Sequence, residues 1–244
     1  MPTSTRLPRS DERSVSDLDS LRSIPLLASL SDEQLAAERA LFRKRAVAKG
    51  AFLFMEGDPP ERFTFLLKGR VKLVRTSEGK DIILRLVEPG DWFGGVAAFG
   101  RRAHPYSAQT LTPSVVMEIR GEDFAGLMAR YPRVAQQVME ELVEQLIEAH
   151  EMMRRLALEP VEPRLAYTLL QLAARSGSPR RDGVALTTPL TRQNLAELAG
   201  TTVETAIRVL SKWKRAGLVR EEAGRIVIAD RAQLEAVAER ERDA

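Results

Sequence analysis

A basic segment near the C-terminus carries the residues whose types and spacing most clearly suggest a chemistry. The segment is TTVETAIRVLSKWKRAGLV, residues 201–219. On a helical wheel its apolar side chains fall on one side: they are Ala206, Val209, Leu210 and Trp213. The opposite, polar stripe consists of Glu204, Arg208, Ser211 and Arg215. Together with Lys212 and Lys214, this stripe offers strong positive charge to a polyanion such as DNA.

The flanking residues place this helix in a helix-turn-helix pattern. Thr201 and Glu204 have capping-box spacing, which predicts Thr201 as the N-cap. The preceding LTRQNLAELAG predicts a shorter helix, and Gly200 can adopt the left-handed conformation that a tight turn needs. The following GLVREEAGRIVIAD predicts a hairpin, typical of the wing of a winged helix-turn-helix. The alternative is an ordinary solvated helix with a basic face, because short motifs produce false positives.

Composition limits the remaining possibilities. The 244 residues suffice for two modest domains, and the net charge of +3 requires any nucleic-acid site to be local. There is no cysteine, which excludes disulfides, thiolate-bound zinc and cysteine-ligated iron–sulfur clusters. No apolar run reaches the ~18 residues of a membrane span, and the polar N-terminus is unlike a secretory signal. We therefore expect a cytoplasmic protein with no membrane partner.

The order of patterns along the chain predicts an α+β fold with four parts. Residues 1–19 are expected to form a disordered arm, and residues 20–132 a sensor domain. Short strands with Gly and Pro turns in that domain predict an antiparallel β-barrel or jelly roll. A long helix is expected at 133–159. After the Pro-marked hinge, the winged helix-turn-helix domain is expected to occupy 160–244.

Two apolar stripes on the long helix predict a dimer. The stripe that we assign to the dimer interface is Val138, Leu142, Gln145, Ala149, Met152 and Leu156. The other consists of Met139, Val143, Leu146 and Met153. A helix that is apolar on two faces must cover both, one with its own domain and the other with a partner helix. The alternative is a core helix in a monomer.

This combination of parts resembles the CRP/FNR family of bacterial transcription regulators, from about residue 20 onward. The most specific motifs are FLLKGRVKLVR with EPGDWFGG, and LTRQNLAELAGTTVETAIRVLSKWKRAGLV. The resemblance implies base reading by Val203, Glu204, Ile207 and Arg208. A carboxylate can accept from cytosine, and a guanidinium can bind guanine in a bidentate manner. Expected phosphate contacts are Thr191, Thr201, Thr202 and Lys212.

The candidate ligand pocket departs from the cyclic-nucleotide-binding members of that family. It comprises Gly94, Gly95, Arg101, Arg102, Tyr106 and Ser107. The resemblance implies a Glu at the position of Gly95, and an Arg–Ser pair where this chain has Tyr106–Ser107. A phenol cannot replace a guanidinium on phosphate, so we expect no cAMP and no other cofactor. Haem would have to use His104, His150 or a Met, and another small ligand remains open.

The sequence therefore predicts a homodimeric, sequence-specific DNA-binding regulator that is not switched by cAMP. Its expected partners are a palindromic double-stranded DNA site, a second copy of the chain and RNA polymerase. No nucleophile–base arrangement or phosphate-binding loop supports an enzyme. Two alternatives remain: a regulator gated by another small ligand or a haem-bound gas, and a cyclic-nucleotide-binding module that acts on protein partners.

Overall fold

The computed structural model describes residues 14–15, 17–77, 79–95, 100, 102–222 and 224–239, with backbone alone at 14–15. The strands are β1 (Ser14–Val15), β2 (Arg43–Val47), β3 (Phe52–Phe54), β4 (Arg62–Lys68), β5 (Val71–Ser77), β6 (Lys80–Val87), β7 (Trp92–Phe93), β8 (Ser107–Thr110), β9 (Ser114–Arg120), β10 (Gly177–Arg180), β11 (Gly183–Leu186), β12 (Val219–Glu222) and β13 (Arg225–Ile228). The helices are α1 (Leu18–Arg22), α2 (Asp32–Glu38), α3 (Gly121–Arg130), α4 (Pro132–Leu158), α5 (Val161–Ser176), α6 (Arg192–Ala199), α7 (Val203–Arg215) and α8 (Arg231–Ala238), with 3-10 turns at Pro25–Leu27 and Arg39–Leu41. None of the helices in these ranges is long and apolar enough to cross a membrane.

The N-terminal domain is a pair of antiparallel sheets of the jelly-roll type. The strand orders are β1-β2-β9-β4-β7 and β3-β8-β5-β6. The sheets enclose an apolar core that draws residues from both, including Leu66 and Val116 of one and Val71 and Ala108 of the other. The α+β fold class and the jelly-roll form of the prediction are confirmed, whereas a closed barrel is not formed.

Part of the predicted disordered arm, at residues 14–15 and 17–19, is folded in the structure. Residues 1–13 lie outside the described part of the chain. Ser14–Val15, however, pairs with β2, and α1 begins at Leu18. Asp17 caps α1 by accepting from the Ser20 N–H, and it also accepts from Lys44 Nζ at 2.9 Å. These contacts tie this segment to the sheet, so the prediction of disorder is wrong there.

An aromatic cluster joins the outer face of the first sheet to the helices. Phe63 of β4 stacks on Trp92 at 4.8 Å and on Phe124 of α3 at 4.1 Å between ring centroids. Val134 and Val138 of α4 are buried in the same cluster. The part of α4 from Pro132 to Leu142 is therefore fixed on this domain, and the helix continues beyond it.

The C-terminal domain packs its helices on a four-stranded antiparallel sheet of order β10-β11-β13-β12. Trp213, Leu210, Leu195 and Leu169 lie in its core. The predicted wing is confirmed as β12 and β13, which pair from Val219↔Ile228 to Glu222↔Arg225. The Gly, Ser and Pro residues that follow α5 predict a loop. The structure has the hairpin β10–β11 there instead.

The two domains are in direct contact through the β5–β6 hairpin. Ile83 and Leu86 of β6 belong to the apolar core of the C-terminal domain. Beside them, Lys72 Nζ lies 3.4 Å from a Glu197 carboxylate oxygen of α6, with side-chain exposures of 8% and 5%. A buried ion pair is costly to break from one side, because the remaining charge stays unsolvated. The hairpin therefore holds the first helix of the helix-turn-helix.

Candidate nucleic-acid interface and sensor pocket

The turn between α6 and α7 sets the position of the recognition-type helix. Gly200 has φ +61°, and the Thr201 N–H donates to the Ala196 carbonyl at 2.9 Å. The N-cap of α7 is Thr202, whose hydroxyl accepts from the Thr205 N–H. The predicted capping box of Thr201 with Glu204 is wrong by one residue, because Thr201 is still part of the turn.

One face of α7 is fixed by burial against α5 and α6. Its buried side chains are Ala206, Val209, Leu210 and Trp213, as the apolar stripe predicted. Ala196 of α6 is also buried, and its small side chain permits close approach of the two helices. This packing leaves the polar stripe of α7 facing solvent.

The predicted base-reading residues share that outward region. Glu204, Ile207 and Arg208 are exposed, and Val203 is half-buried at the first position of the helix. Among the residues that the structure describes, Arg208 forms no hydrogen bond or ion pair. The pKa of the Glu204 carboxyl is held below its usual value by its own backbone N–H, and further by the Thr202 hydroxyl. A free guanidinium and an ionised carboxylate therefore lie one helical turn apart.

The predicted phosphate-contacting residues cluster near the two helix N-termini, with one exception. Thr191 is exposed and caps α6 by accepting from the Asn194 N–H at 3.1 Å. Thr201 is half-buried and Thr202 is exposed at the start of α7. Helix N-termini favour anions through their free N–H groups and the helix dipole. Lys212 instead lies near the C-terminal end of α7 and is ion-paired with Glu162.

The first half of the predicted ligand pocket has no room for a carboxylate side chain. A Cβ added to Gly95 would lie 2.6 Å from the Trp92 ring and 2.7 Å from the Phe63 ring. Gly94 has φ +81°, where a side chain is strained. The aromatic cluster thus occupies the space that the family's carboxylate would need.

The second half of the predicted pocket is aromatic. Burial raises the pKa of the Tyr106 phenol, so it stays neutral. The Ser107 hydroxyl accepts from the Glu56 N–H at 2.9 Å. His104 is buried and stacks on Phe54 with 3.6 Å between ring centroids. Arg102 is exposed, and Arg101 lies outside the described residues.

A cation that the sequence analysis did not select, Arg85, lies on the sheet that carries Tyr106's neighbour Ser107. Arg85 of β6 acts electrostatically on Tyr106, and its guanidinium lies 3.4 Å from Asp91 and from the Trp92 carbonyl oxygen. Its buried Nε has no hydrogen-bond partner in the described part of the chain, and neither has Nε2 of Gln145 on α4. The available signal was one charged residue within the apolar strand IILRLV.

The stripe predicted to form the dimer interface is partly used within the chain. Val138 is only 4% exposed in its own domain's core, and Leu142 packs against that core. Gln145 and Met152 are half-buried, whereas Ala149 and Leu156 are exposed. Val138 is therefore covered by its own domain and the prediction is wrong for it, whereas the half-buried Leu142 stays a predicted interface residue.

The neighbouring stripe of α4 is the one left open. We call it the outer stripe, and each member is more than half exposed: Met139, Val143, Leu146, Ile147 and Met153. Long apolar side chains gathered on one helix face are typical of a surface that packs against another helix.

A jelly-roll domain, a long helix and a winged helix-turn-helix with an exposed cationic face define a DNA-binding transcription regulator. Residues 44–131 match the family model of the cyclic nucleotide-binding domain, and residues 163–237 match that of the Crp-like helix-turn-helix domain. The chain belongs to the CRP/FNR family, whose members are transcription regulators and not enzymes.

Individual relatives agree with this assignment. The chain is 29% identical over 219 residues to the cyclic AMP receptor protein of Thermus thermophilus, covering 89% of this chain and 98% of that protein. It is 30% identical over 183 residues to the global nitrogen regulator of Synechococcus elongatus, covering 74% and 82%. A CRP/FNR-family regulator from Thermus thermophilus has a similar structure, with a TM-score of 0.69 at 27% identity over 81% of this chain and 99% of that one.

Proposed function

We propose that this regulator binds a palindromic DNA site as a homodimer and reads bases mainly through Arg208 and Glu204. The observation that carries the proposal is the exposed guanidinium of Arg208, unpartnered among the described residues and one turn from Glu204 on α7. Arginine binds guanine O6 and N7 in a bidentate manner, and a carboxylate accepts from cytosine N4. Ile207 beside them is 45% exposed and suits contact with a thymine methyl group.

The rest of the interface positions the helix without reading sequence. Thr191, Thr201 and Thr202 offer hydroxyl groups near the N-termini of α6 and α7, where phosphate is favoured. Two such domains related by a two-fold axis would contact half-sites about one helical turn apart, ~34 Å. RNA polymerase is the expected protein partner of the DNA-bound form.

The second copy is proposed to cover the outer stripe of α4. Leu146 and Ile147 near its centre are 55% and 56% exposed in the single chain. Burying a Leu side chain fully contributes about 1.5–3 kcal/mol, so a stripe of five such residues can stabilise a helix pair. The outer stripe is flanked by Gln145, Ala149 and Met152. These three residues stay predicted contacts at the edge of the dimer interface.

We further propose that cAMP does not switch this protein, although one relative is named a cyclic AMP receptor protein and two others are named cAMP-activated regulators. Gly95 has no space for the carboxylate that would hold the ribose, and Tyr106 has no charge for the phosphate. A ligand shifts a conformational equilibrium only by its difference in affinity for the two states. We propose no haem either, since the buried His104 is packed against Phe54.

The experiment that tests DNA recognition is selection of bound sequences from a random pool with purified, ligand-free protein. The expected result is an imperfect palindrome with one G·C pair per half-site that depends on Arg208. Recovery of the random pool without enrichment would contradict sequence-specific binding. The variant Arg208→Lys keeps the charge but loses the bidentate geometry, so it should lose the preference at that pair.

A second candidate is a regulator gated by a different small ligand. It is favoured by the two buried donors, Arg85 Nε and Gln145 Nε2, which lack partners within the described ranges. A buried donor without a partner is destabilising, and a ligand acceptor would satisfy it. Thermal unfolding of the protein against a metabolite collection would detect such a ligand, because binding to the folded state raises the Tm.

A further inference from the structure

A carboxylate from outside the helix-turn-helix lies on the cationic face of α7. Glu162, in the first turn of α5, accepts from Lys212 Nζ at 2.9 Å on both oxygens. The same carboxylate accepts from Trp213 Nε1 at 2.9 Å. Lys212 is 60% exposed and Glu162 is 30% exposed, so the pair lies at the surface.

The contact with Trp213 explains why residue 162 must carry an acceptor, but not why it carries a charge. Trp213 is 1% exposed, and a buried indole N–H needs a hydrogen-bond partner. A neutral amide oxygen would serve as well. The helix dipole favours a negative charge in the first turn of α5, and on its opposite side Glu162 faces Lys212.

The surroundings of Glu162 on that side are otherwise positive. Glu162 lines one concave surface together with Arg208, Lys212 and Arg215. Arg208 has no partner among the described residues, whereas Lys212 is neutralised by Glu162. The face proposed to contact DNA thus contains two different cations. Arg208 is free to contact a base, whereas Lys212 is paired with Glu162 and is not free to contact phosphate.

We propose that Glu162 is a positioning residue that holds Lys212 away from the DNA backbone and lowers sequence-independent affinity. The proposal rests on the proposed function, DNA binding through α7. A lysine that neutralises a phosphate releases one condensed counterion and strengthens binding to every sequence alike. A lysine already paired with a carboxylate releases none, and the carboxylate adds repulsion from the phosphates. Glu162 therefore keeps the protein from being retained on random DNA, which competes in large excess with the specific site.

The test compares Glu162→Gln with the wild type on a labelled random-sequence duplex over a range of KCl concentrations. The glutamine oxygen keeps an acceptor for Trp213 and removes the charge. The expected slope of log K against log[KCl] becomes steeper by about 0.9 for each α7 in contact, with about eightfold tighter binding per helix at 0.1 M salt. The matched control is Glu235→Gln, which removes the same charge from a pair with Arg231 on α8. It should leave the slope unchanged.

A second variant keeps the test decisive if Glu162→Gln unfolds. Lys212→Ala in the wild-type background should change the salt slope by less than about half a counterion, because Lys212 is withheld. In the Glu162→Gln background the same substitution should remove the gained slope. The proposal is overturned if Lys212→Ala flattens the wild-type slope by a full counterion, or if Glu162→Gln matches Glu235→Gln. Absence of any DNA binding by the wild type would instead contradict the proposed function.

Discussion

Two regions carry the polar residues selected from the sequence: the outer face of α7 and the interior of the N-terminal domain. They differ in how far these residues are exposed to solvent. On α7, Arg208 projects into solvent without a partner in the described chain. In the N-terminal domain, Tyr106 and His104 are packed with Phe54, and Gly95 lies against Trp92. The difference is that Arg208 is accessible on the surface of α7, whereas Gly95, His104 and Tyr106 are packed against aromatic side chains.

The closed pocket gives the largest expected effect. Gly95→Glu restores the family's carboxylate but places its Cβ 2.6 Å from the Trp92 ring. Overpacking costs about 1–3 kcal/mol, and an unpaired buried charge adds several more, so a loss of about 4 kcal/mol or more is expected. Thermal or urea unfolding measures it.

The control for that substitution is Gly126→Glu in α3, where an added Cβ would meet only the Arg130 guanidinium at 3.3 Å. A glutamate there can pair with Arg130 one turn later, so stability should be kept. If Gly95→Glu were as stable as Gly126→Glu, the pocket would be open rather than filled.

A dimer is needed for two recognition faces to act on one palindrome. Leu146→Glu places a charge in the outer stripe and should weaken self-association by about 2 kcal/mol or more. Sedimentation measures the mass at micromolar concentration. Met55→Glu is the control, because Met55 is 52% exposed directly after β3 and is not part of α4. If Leu146→Glu and the wild type have the same mass, as two dimers or as two monomers, the outer stripe is not the dimer interface.

The exposed face of α7 predicts an intermediate effect, a loss of DNA affinity when Arg208 is replaced. Arg208→Ala should cost about 1–3 kcal/mol on the specific site and relax preference at one base pair per half-site. On random DNA its loss should be smaller, because a base contact is absent there. Competition binding with both DNAs measures the difference. Arg231→Ala on α8 is the matched control, and equal losses on the two DNAs would identify Arg208 as a phosphate contact.

The sequence predicted the exposed and buried faces of α7 better than the residues around the pocket. The reason is that α7 depends on contacts between residues close in sequence, whereas the pocket depends on residues far apart in sequence. Trp213 and its apolar neighbours are set by a local 3.6-residue period, and Gly200 by one turn. The cap was displaced to Thr202 because the turn used Thr201. Arg85 is brought to the same sheet as Ser107 only through the pairing of β6 with β5 and of β5 with β8, which no local pattern contains.

The other differences have the same origin. Val138 and Met139 are adjacent on a helix with two apolar stripes, and periodicity alone could not decide which one covers the N-terminal domain. The strand β10 contains Pro179, which lowered its strand signal, but β10 is an edge strand, where proline is tolerated.

The smallest predicted effect is a pH dependence of the free energy of unfolding, which arises from the burial of His104 in the predicted pocket. Burial lowers the pKa of His104 in the folded protein. Near and below the ordinary histidine pKa of about 6.5, the unfolded chain therefore binds more protons than the folded one. Stability should therefore be complete above about pH 6.5 and decline as the pH falls toward the lower folded-state pKa. Unfolding of His104→Phe should lose this decline, whereas that of His150→Phe should retain it.

The most direct test of the account measures DNA binding by nucleotide-free protein on its selected palindrome, with and without cAMP. We expect high-affinity binding without nucleotide and a change of less than about twofold on adding cAMP, with no heat of binding in a parallel calorimetric titration. Micromolar cAMP binding that tightens DNA affinity more than about tenfold, or 1.4 kcal/mol, would contradict it.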